Sequence, residues 1–164
     1  MLAAVTSDPS STDSDIASRV LIVDDHPIVR KGLRTLFDGA SDFTVCGEAE
    51  GLVQALQQFR DNRPDVIISD LTIDDGSGID LVRELVSIDP DARVLICSMH
   101  DEGLFAERAL RAGAKGYICK DNATEELIHA TRRIVGGRIY LSHVMTERVL
   151  NRQAGSAQTV KSAI

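Results

Sequence analysis

Apolar residues along this chain follow two alternating rhythms. Five short runs rich in Val and Ile lie at 19–25 (RVLIVDD), 43–50 (FTVCGEAE), 65–71 (DVIISDL), 92–100 (ARVLICSMH) and 116–120 (GYICK). Several show little polar alternation, as expected of strands buried on both faces. Between them the spacing turns helical. Val29, Leu33, Leu36 and Phe37 share one face of a first helix, and Leu52, Val53, Leu56 and Phe59 share one face of a second. Leu81, Val82, Leu85 and Val86 mark a third, and Phe105, Ala109 and Leu110 a fourth. The fifth is the most regular, with Leu127, Ile128, Thr131, Ile134 and Val135 on one stripe, Asn122 placed as its N-cap and Glu125 as the N3 partner.

Strand starts recur roughly every 25 residues, the length of one βα unit. Repeated βαβ units imply a parallel sheet with right-handed crossovers and helices on both faces. The expected fold is therefore α/β: a doubly wound five-stranded parallel sheet in the flavodoxin-like order 2-1-3-4-5, spanning residues 18–136. Residues 1–17, rich in Ser, Asp and Thr, read as a disordered N-terminal tail. Gly136-Gly137 end the fifth helix, and residues 137–164 read as a linker carrying a short helix over about 142–153, with Val144, Val149 and Leu150 on one side.

Composition narrows the function. The chain has 164 residues, 43% of them hydrophobic but only 4% aromatic, so its core is aliphatic. A net charge of −7 argues against a nucleic-acid grip by this chain itself, which rests on a basic surface. No window approaches a membrane span, and the N-terminus has neither the basic nor the apolar region of a secretory signal. Cys46, Cys97 and Cys119 lie in apolar runs without metal-site spacing and read as small buried hydrophobes in a reducing, cytoplasmic setting.

The chemistry gathers at one edge. In a doubly wound sheet, ligands bind beyond the carboxyl ends of the strands, where strand order reverses. Strand 1 ends in Asp24-Asp25, strand 3 in Asp70, strand 4 in Ser98 and strand 5 in Lys120. Strands 1 and 3 would be neighbours about 4.8 Å apart, so their carboxylates converge, and a Lys side chain spans the roughly 10 Å from strand 5. Clustered carboxylates repel unless a hard divalent cation with oxygen ligands joins them, and Mg2+ fits that donor set while leaving positions for phosphate oxygens. A hydroxyl and an ammonium beside it complete a phosphoryl site. A single Asp at a strand end is an ordinary solvated residue; the joint pattern carries the reading.

The motifs VDDHPIVRKGL, PDVIISDL, VLICSMHDE, ALRAGAKGYICKD and GGRIYLS resemble the receiver domain of two-component response regulators of the NarL/FixJ (LuxR-type) subfamily, across about residues 19–143. The resemblance implies a CheY-like fold in which Asp70 accepts a phosphoryl group from a sensor histidine kinase. It implies that Asp24, Asp25, Asp70 and the backbone carbonyl of Thr72 hold Mg2+, that Lys120 and Ser98 contact the phosphoryl oxygens, and that Tyr117 is a switch aromatic turning inward as Ser98 moves. It further implies weak homodimerisation, and transcriptional output through a C-terminal helix-turn-helix DNA-binding domain for which 137–164 is too short. Thr72 and His100 would flank the path of hydrolytic water. One departure is local: DLTIDDGSG places Asp74 and Asp75 where relatives commonly have Pro-Gly, which predicts added negative charge near the metal, while Gly78 keeps the later glycine.

Three other readings are weaker. His26 beside two acids resembles half of a metal-phosphoesterase DHH signature, but Pro27 replaces the second His and suits a helix first turn, so His26 reads as a loop or cap residue. A Mg2+-dependent phosphatase would need a second carboxylate two residues after the nucleophile, where Thr72 stands. A stand-alone or degenerate receiver acting only as a binding module fits poorly with the intact Asp24, Asp25, Asp70, Ser98 and Lys120 set. The expected activity is a switch, not turnover.

Overall fold

The computed structural model describes residues 16–100, 102–120 and 124–161. In chain order its elements are β1 (Ser18–Val23), α1 (Pro27–Asp38), β2 (Phe43–Ala49), α2 (Leu52–Asn62), β3 (Val66–Ser69), β4 (Thr72–Ile73), β5 (Gly76–Ser77), α3 (Gly78–Ile88), β6 (Val94–Ser98), α4 (Glu102–Ala112), β7 (Gly116–Cys119), α5 (Thr124–Val135) and α6 (His143–Lys161). The main sheet is parallel, ordered β2-β1-β3-β6-β7. That is the expected 2-1-3-4-5 order, with the antiparallel β4–β5 hairpin inserted after the third strand.

The sheet divides the core in two. Alternate residues of each strand point to opposite faces, so Leu21, Val23, Ile67, Val94, Ile96 and Tyr117 pack toward α2, α3 and α4, while Val20, Ile22, Val66, Ile68, Leu95, Cys97 and Ile118 pack toward α1 and α5. Every residue of β3 and β6 is buried, which explains their unbroken apolar text. Each large aliphatic side chain in these strands contributes roughly 1.5–3 kcal/mol through burial.

Helix ends follow local chemistry. Pro27 opens α1, its fixed φ and missing N–H suiting the first turn. Ser77 caps α3, its Oγ accepting from Asp80 N at 3.1 Å. In α5, Glu125 and Glu126 stand in the first turn and Arg132 and Arg133 in the last, matching the helix dipole. Asn122, expected as the α5 cap, lies outside the described residues, as do residues 1–15 of the expected tail.

Two expectations need correction. Val53 is 69% exposed. The buried stripe of α2 is Leu52, Ala55, Leu56 and Phe59, because the strands beneath set the helix phase and Val53 falls on the outer side. The last helix is also longer than expected and buries a different stripe. Met145 is 2% exposed, with Leu141 and Val149 packed beside it, whereas Val144 and Leu150 face outward. No described helix is long and apolar enough to cross a membrane.

Candidate functional site

The site grows from two adjacent strands. Asp24 N donates to Ala49 O at 3.0 Å and Asp70 N to Val23 O at 2.9 Å. Both acids thus extend the backbone ladder one residue beyond β1 and β3, and their side chains leave the sheet together. Asp24 is 1% exposed and Asp70 7%. Asp25 follows at the start of the loop into α1. Arg30, one turn into α1, donates from Nη1 to Asp24 O at 2.7 Å and from Nη2 to Glu50 at 3.1 Å, fixing the loop that carries both acids.

One ligand atom each from Asp24, Asp25, His26 and Asp70 lies within 4.8 Å of the others. Lys120 crosses from the end of β7 to place Nζ 2.8 Å from Asp24 Oδ2 and 3.4 Å from Asp70 Oδ2. Burial works against its ammonium, but the hydrogen bond to Asp24 and the Asp70 and Asp24 charges outweigh it and raise the pKa above the usual lysine value. Asp70 Oδ1 accepts from Leu71 N at 2.7 Å, so Oδ2 is the oxygen turned to Lys120.

These residues suit a hard cation. The donors are mainly carboxylate oxygens, and Asp25 Oδ1 is enclosed yet accepts no hydrogen bond among the described residues. Such an atom is costly unless a cation satisfies it. His26 Nδ1 is the nearest positive candidate, 2.9 Å from both Asp24 Oδ1 and Asp25 Oδ1. The hydrogen bond to Asp24, then the Asp25 charge, raise its pKa. His26 is indeed the backbone N-cap of α1, as expected. Its ring, however, joins the acids, a feature sequence reasoning missed although its adjacency to Asp24-Asp25 was the available signal.

Beyond the acids an open cleft of about 480 Å³ is lined by His26, Asp70, Thr72, Ser98, His100 and Lys120, among others. Ser98 is fully buried and its Oγ accepts from His100 N at 3.2 Å. Tyr117 is already inside: it is 1% exposed and its hydroxyl donates to His100 O at 3.0 Å. Thr72 is exposed on β4, opposite Ser77.

The Asp74-Asp75 pair does not add to the metal cluster. Asp75 turns its carboxylate to α2, accepting from Leu52 N and, at 3.1 Å, from Val53 N. It caps a helix whose own N-cap, Gly51, has no side chain to offer. These backbone donors, Val53 first, hold its pKa below the usual carboxylate range. Asp74 is exposed and its N–H donates to Glu50 O at 3.1 Å. Gly78 has a steric reason: a Cβ there would collide with the Asp70 carbonyl oxygen and approach Ile96 Cδ1 to 3.1 Å.

A parallel 2-1-3-4-5 sheet with three acids, a buried hydroxyl and a lysine at its carboxyl edge defines a receiver-type signalling domain. Residues 20–132 match the family of the response regulator receiver domain, and the chain belongs to it. Its sequence places it with the NarL/FixJ type. It is 34% identical to the oxygen regulatory protein NreC of Staphylococcus epidermidis, over 86% of this chain and 65% of that protein. It is 35% identical to the DNA-binding transcriptional activator DevR/DosR of Mycobacterium tuberculosis, over 85% and 64%. A crystal structure of a LuxR-family two-component response regulator from Aurantimonas sp. SI85-9A1 superposes with a TM-score of 0.78 at 34% identity, covering 85% of this chain and 99% of that one. The chain thus spans under two thirds of the length of these curated relatives.

Proposed function

We propose that this chain is a phosphorylation switch in which Asp70 accepts a phosphoryl group from a sensor histidine kinase. The observation that carries the reading is the convergence of the Asp24, Asp25 and Asp70 carboxylates within 4.8 Å of one another, with the Lys120 ammonium on Asp24 and Asp70. Asp24, Asp25, Asp70 and the Thr72 carbonyl would hold Mg2+, which supplies charge neutralisation for the incoming phosphoryl group. Asp70 Oδ2 forms the new O–P bond as the P–N bond of a phosphohistidine breaks and the imidazole leaves with a proton. Lys120 exchanges part of its pairing with Asp70 for the transferred oxygens, and Ser98 donates its hydroxyl to one of them.

Added charge close to −2 at Asp70 then biases the loop carrying Ser98 and His100, with Tyr117 locked to its carbonyl. Thr72 and His100, on either side of the cleft, tune how long the acyl phosphate survives water. The chain acts in the cytoplasm as a switch with only slow self-dephosphorylation, and dimerises weakly. DNA enters only through a C-terminal domain of the kind the relatives' names indicate. A phosphatase reading lacks its second carboxylate, since Thr72 occupies that position. The test is intact mass after exposure to a small-molecule phosphodonor and Mg2+: one phosphate on the wild type and none on Asp70→Asn. Equal labelling of both would overturn Asp70 as the acceptor.

A further inference from the structure

The β4–β5 hairpin stands between the Asp70 cleft and α2. Thr72 pairs with Ser77 and Ile73 with Gly76, which leaves Asp74 and Asp75 as a two-residue turn. Hairpin turns of that length favour types I′ and II′, both of which need φ above zero at the first turn residue. Arg63 is the one non-glycine residue with positive φ among the described residues, so Asp74 and Asp75 form neither. A lone hairpin is marginal even with a favoured turn, and this one has only two residue pairs. Its position is therefore set from outside.

Ile73, 3% exposed, roots the hairpin in the core, and the entrance to α2 holds its tip. Asp74 N donates to Glu50 O at 3.1 Å, and the Asp75 carboxylate accepts from Leu52 N and Val53 N. Gly51 leaves the room this needs, since a Cβ there would strike that carboxylate. The same short segment is tied to the other half of the acid cluster. Arg30 reaches Asp24 O with Nη1 at 2.7 Å and the Glu50 carboxylate with Nη2 at 3.1 Å. Residues 50–53 thus act as a bracket. Arg30 fastens the loop of Asp24 and Asp25 to one side of it, and Asp75 fastens the hairpin that follows Asp70 to the other. Thr72, at the base of that hairpin, lines the cleft with Asp70 and His26.

We propose that Asp75 is a positioning residue for Mg2+: by anchoring the hairpin on α2 it fixes the backbone of Thr72 relative to the three clustered acids. It acts through position and not as a ligand, because it lies outside the cluster and its carboxylate is engaged by two backbone donors. This role rests on the reading of Asp24, Asp25, Asp70 and the Thr72 carbonyl as the Mg2+ site. Linkage makes the effect reciprocal: a cap that favours Mg2+ binding is itself tightened when Mg2+ binds.

Calorimetric titration of the whole chain with Mg2+, after chelator treatment, tests this. Asp75→Ala is expected to weaken Mg2+ binding about five- to tenfold. Asp75→Asn, whose amide oxygen still accepts from the α2 entrance, should stay within about twofold of wild type. Wild-type affinity in Asp75→Ala overturns the proposal. Equal weakening in the Ala and Asn variants assigns the effect to charge acting at a distance and overturns it as well. A wild type that binds no Mg2+ removes the metal reading itself, and the positioning role with it. On the unmutated protein, saturating Mg2+ should slow exchange of the Leu52 and Val53 amide protons by about the same five- to tenfold, read by NMR. Saturation without that slowing overturns the coupling, whether or not the Ala variant folds.

Discussion

Gly78 and Gly32 make a paired prediction with opposite signs. Gly78 opens α3 and its N–H donates to Leu71 O at 2.7 Å. A Cβ there strikes the Asp70 carbonyl oxygen and comes within 3.1 Å of Ile96 Cδ1. The first obstacle is backbone, which cannot swing aside, so the 70–78 loop has to move. Overpacking of this kind costs roughly 1–3 kcal/mol, offset by about 0.4–1 kcal/mol from alanine's stiffer unfolded chain. Gly78→Ala should therefore destabilise by about 1–2 kcal/mol, lowering Tm by roughly 2–8 °C for a chain this size. Gly32 sits mid-α1, exposed, with open space around its Cβ position. Gly32→Ala should stabilise by about 0.5–1 kcal/mol through helix propensity. Urea midpoints give both signs directly. The displaced loop also carries Asp70, the proposed acceptor, so Gly78→Ala should label more slowly with a small-molecule phosphodonor while Gly32→Ala labels at the wild-type rate. A Gly78→Ala protein as stable and as reactive as wild type would refute the argument that the glycine exists to let α3 approach Asp70.

Other consequences follow from charge and burial. The folded-state pKa of Lys120 is raised, so the stability its pairing contributes is fully present below the unfolded lysine value, near 10.4, and is lost as pH rises through the folded value; urea midpoints at pH 8 and pH 11 should fall less in Lys120→Met than in wild type. The folded pKa of Asp75 is lowered, so its cap on α2 contributes above the unfolded carboxylate value and fades as pH falls through the folded one. The stability gap between wild type and Asp75→Ala should accordingly close in acid, as followed by circular dichroism. Burial pushes the Cys97 thiol up to about 12, so at pH 8 it should react with a thiol reagent only after urea is added.

That Asp24, Asp25, Asp70, Ser98 and Lys120 gather at one edge was legible in the sequence, because each stands where an apolar run stops and parallel strands bring their carboxyl ends together. Asp70 and Asp24 needed only the 2-1-3 order to meet. The rest depended on packing between distant segments. Nothing local to Asp75 says that its carboxylate will cap a helix that starts at Leu52. The exposure of Val53 and the burial of Met145 follow from the phase at which α2 and α6 lie on the sheet and on α4. Apolar residues at neighbouring helical positions leave that phase open. His26 read as a cap by sequence, and its ring found the acids because Pro27 fixes where α1 begins.

A Mg2+-dependent switch at Asp70 would show itself in time-resolved phosphate accounting. Intact mass and free phosphate would be followed together after adding a small-molecule phosphodonor, with Mg2+ and with EDTA. With Asp70 as the acceptor, the mass rises to one phosphate per chain, mapped to Asp70, absent in EDTA, and followed by slow release. Continuous phosphate release without an accumulating adduct, or an adduct that forms equally well in EDTA, would contradict it.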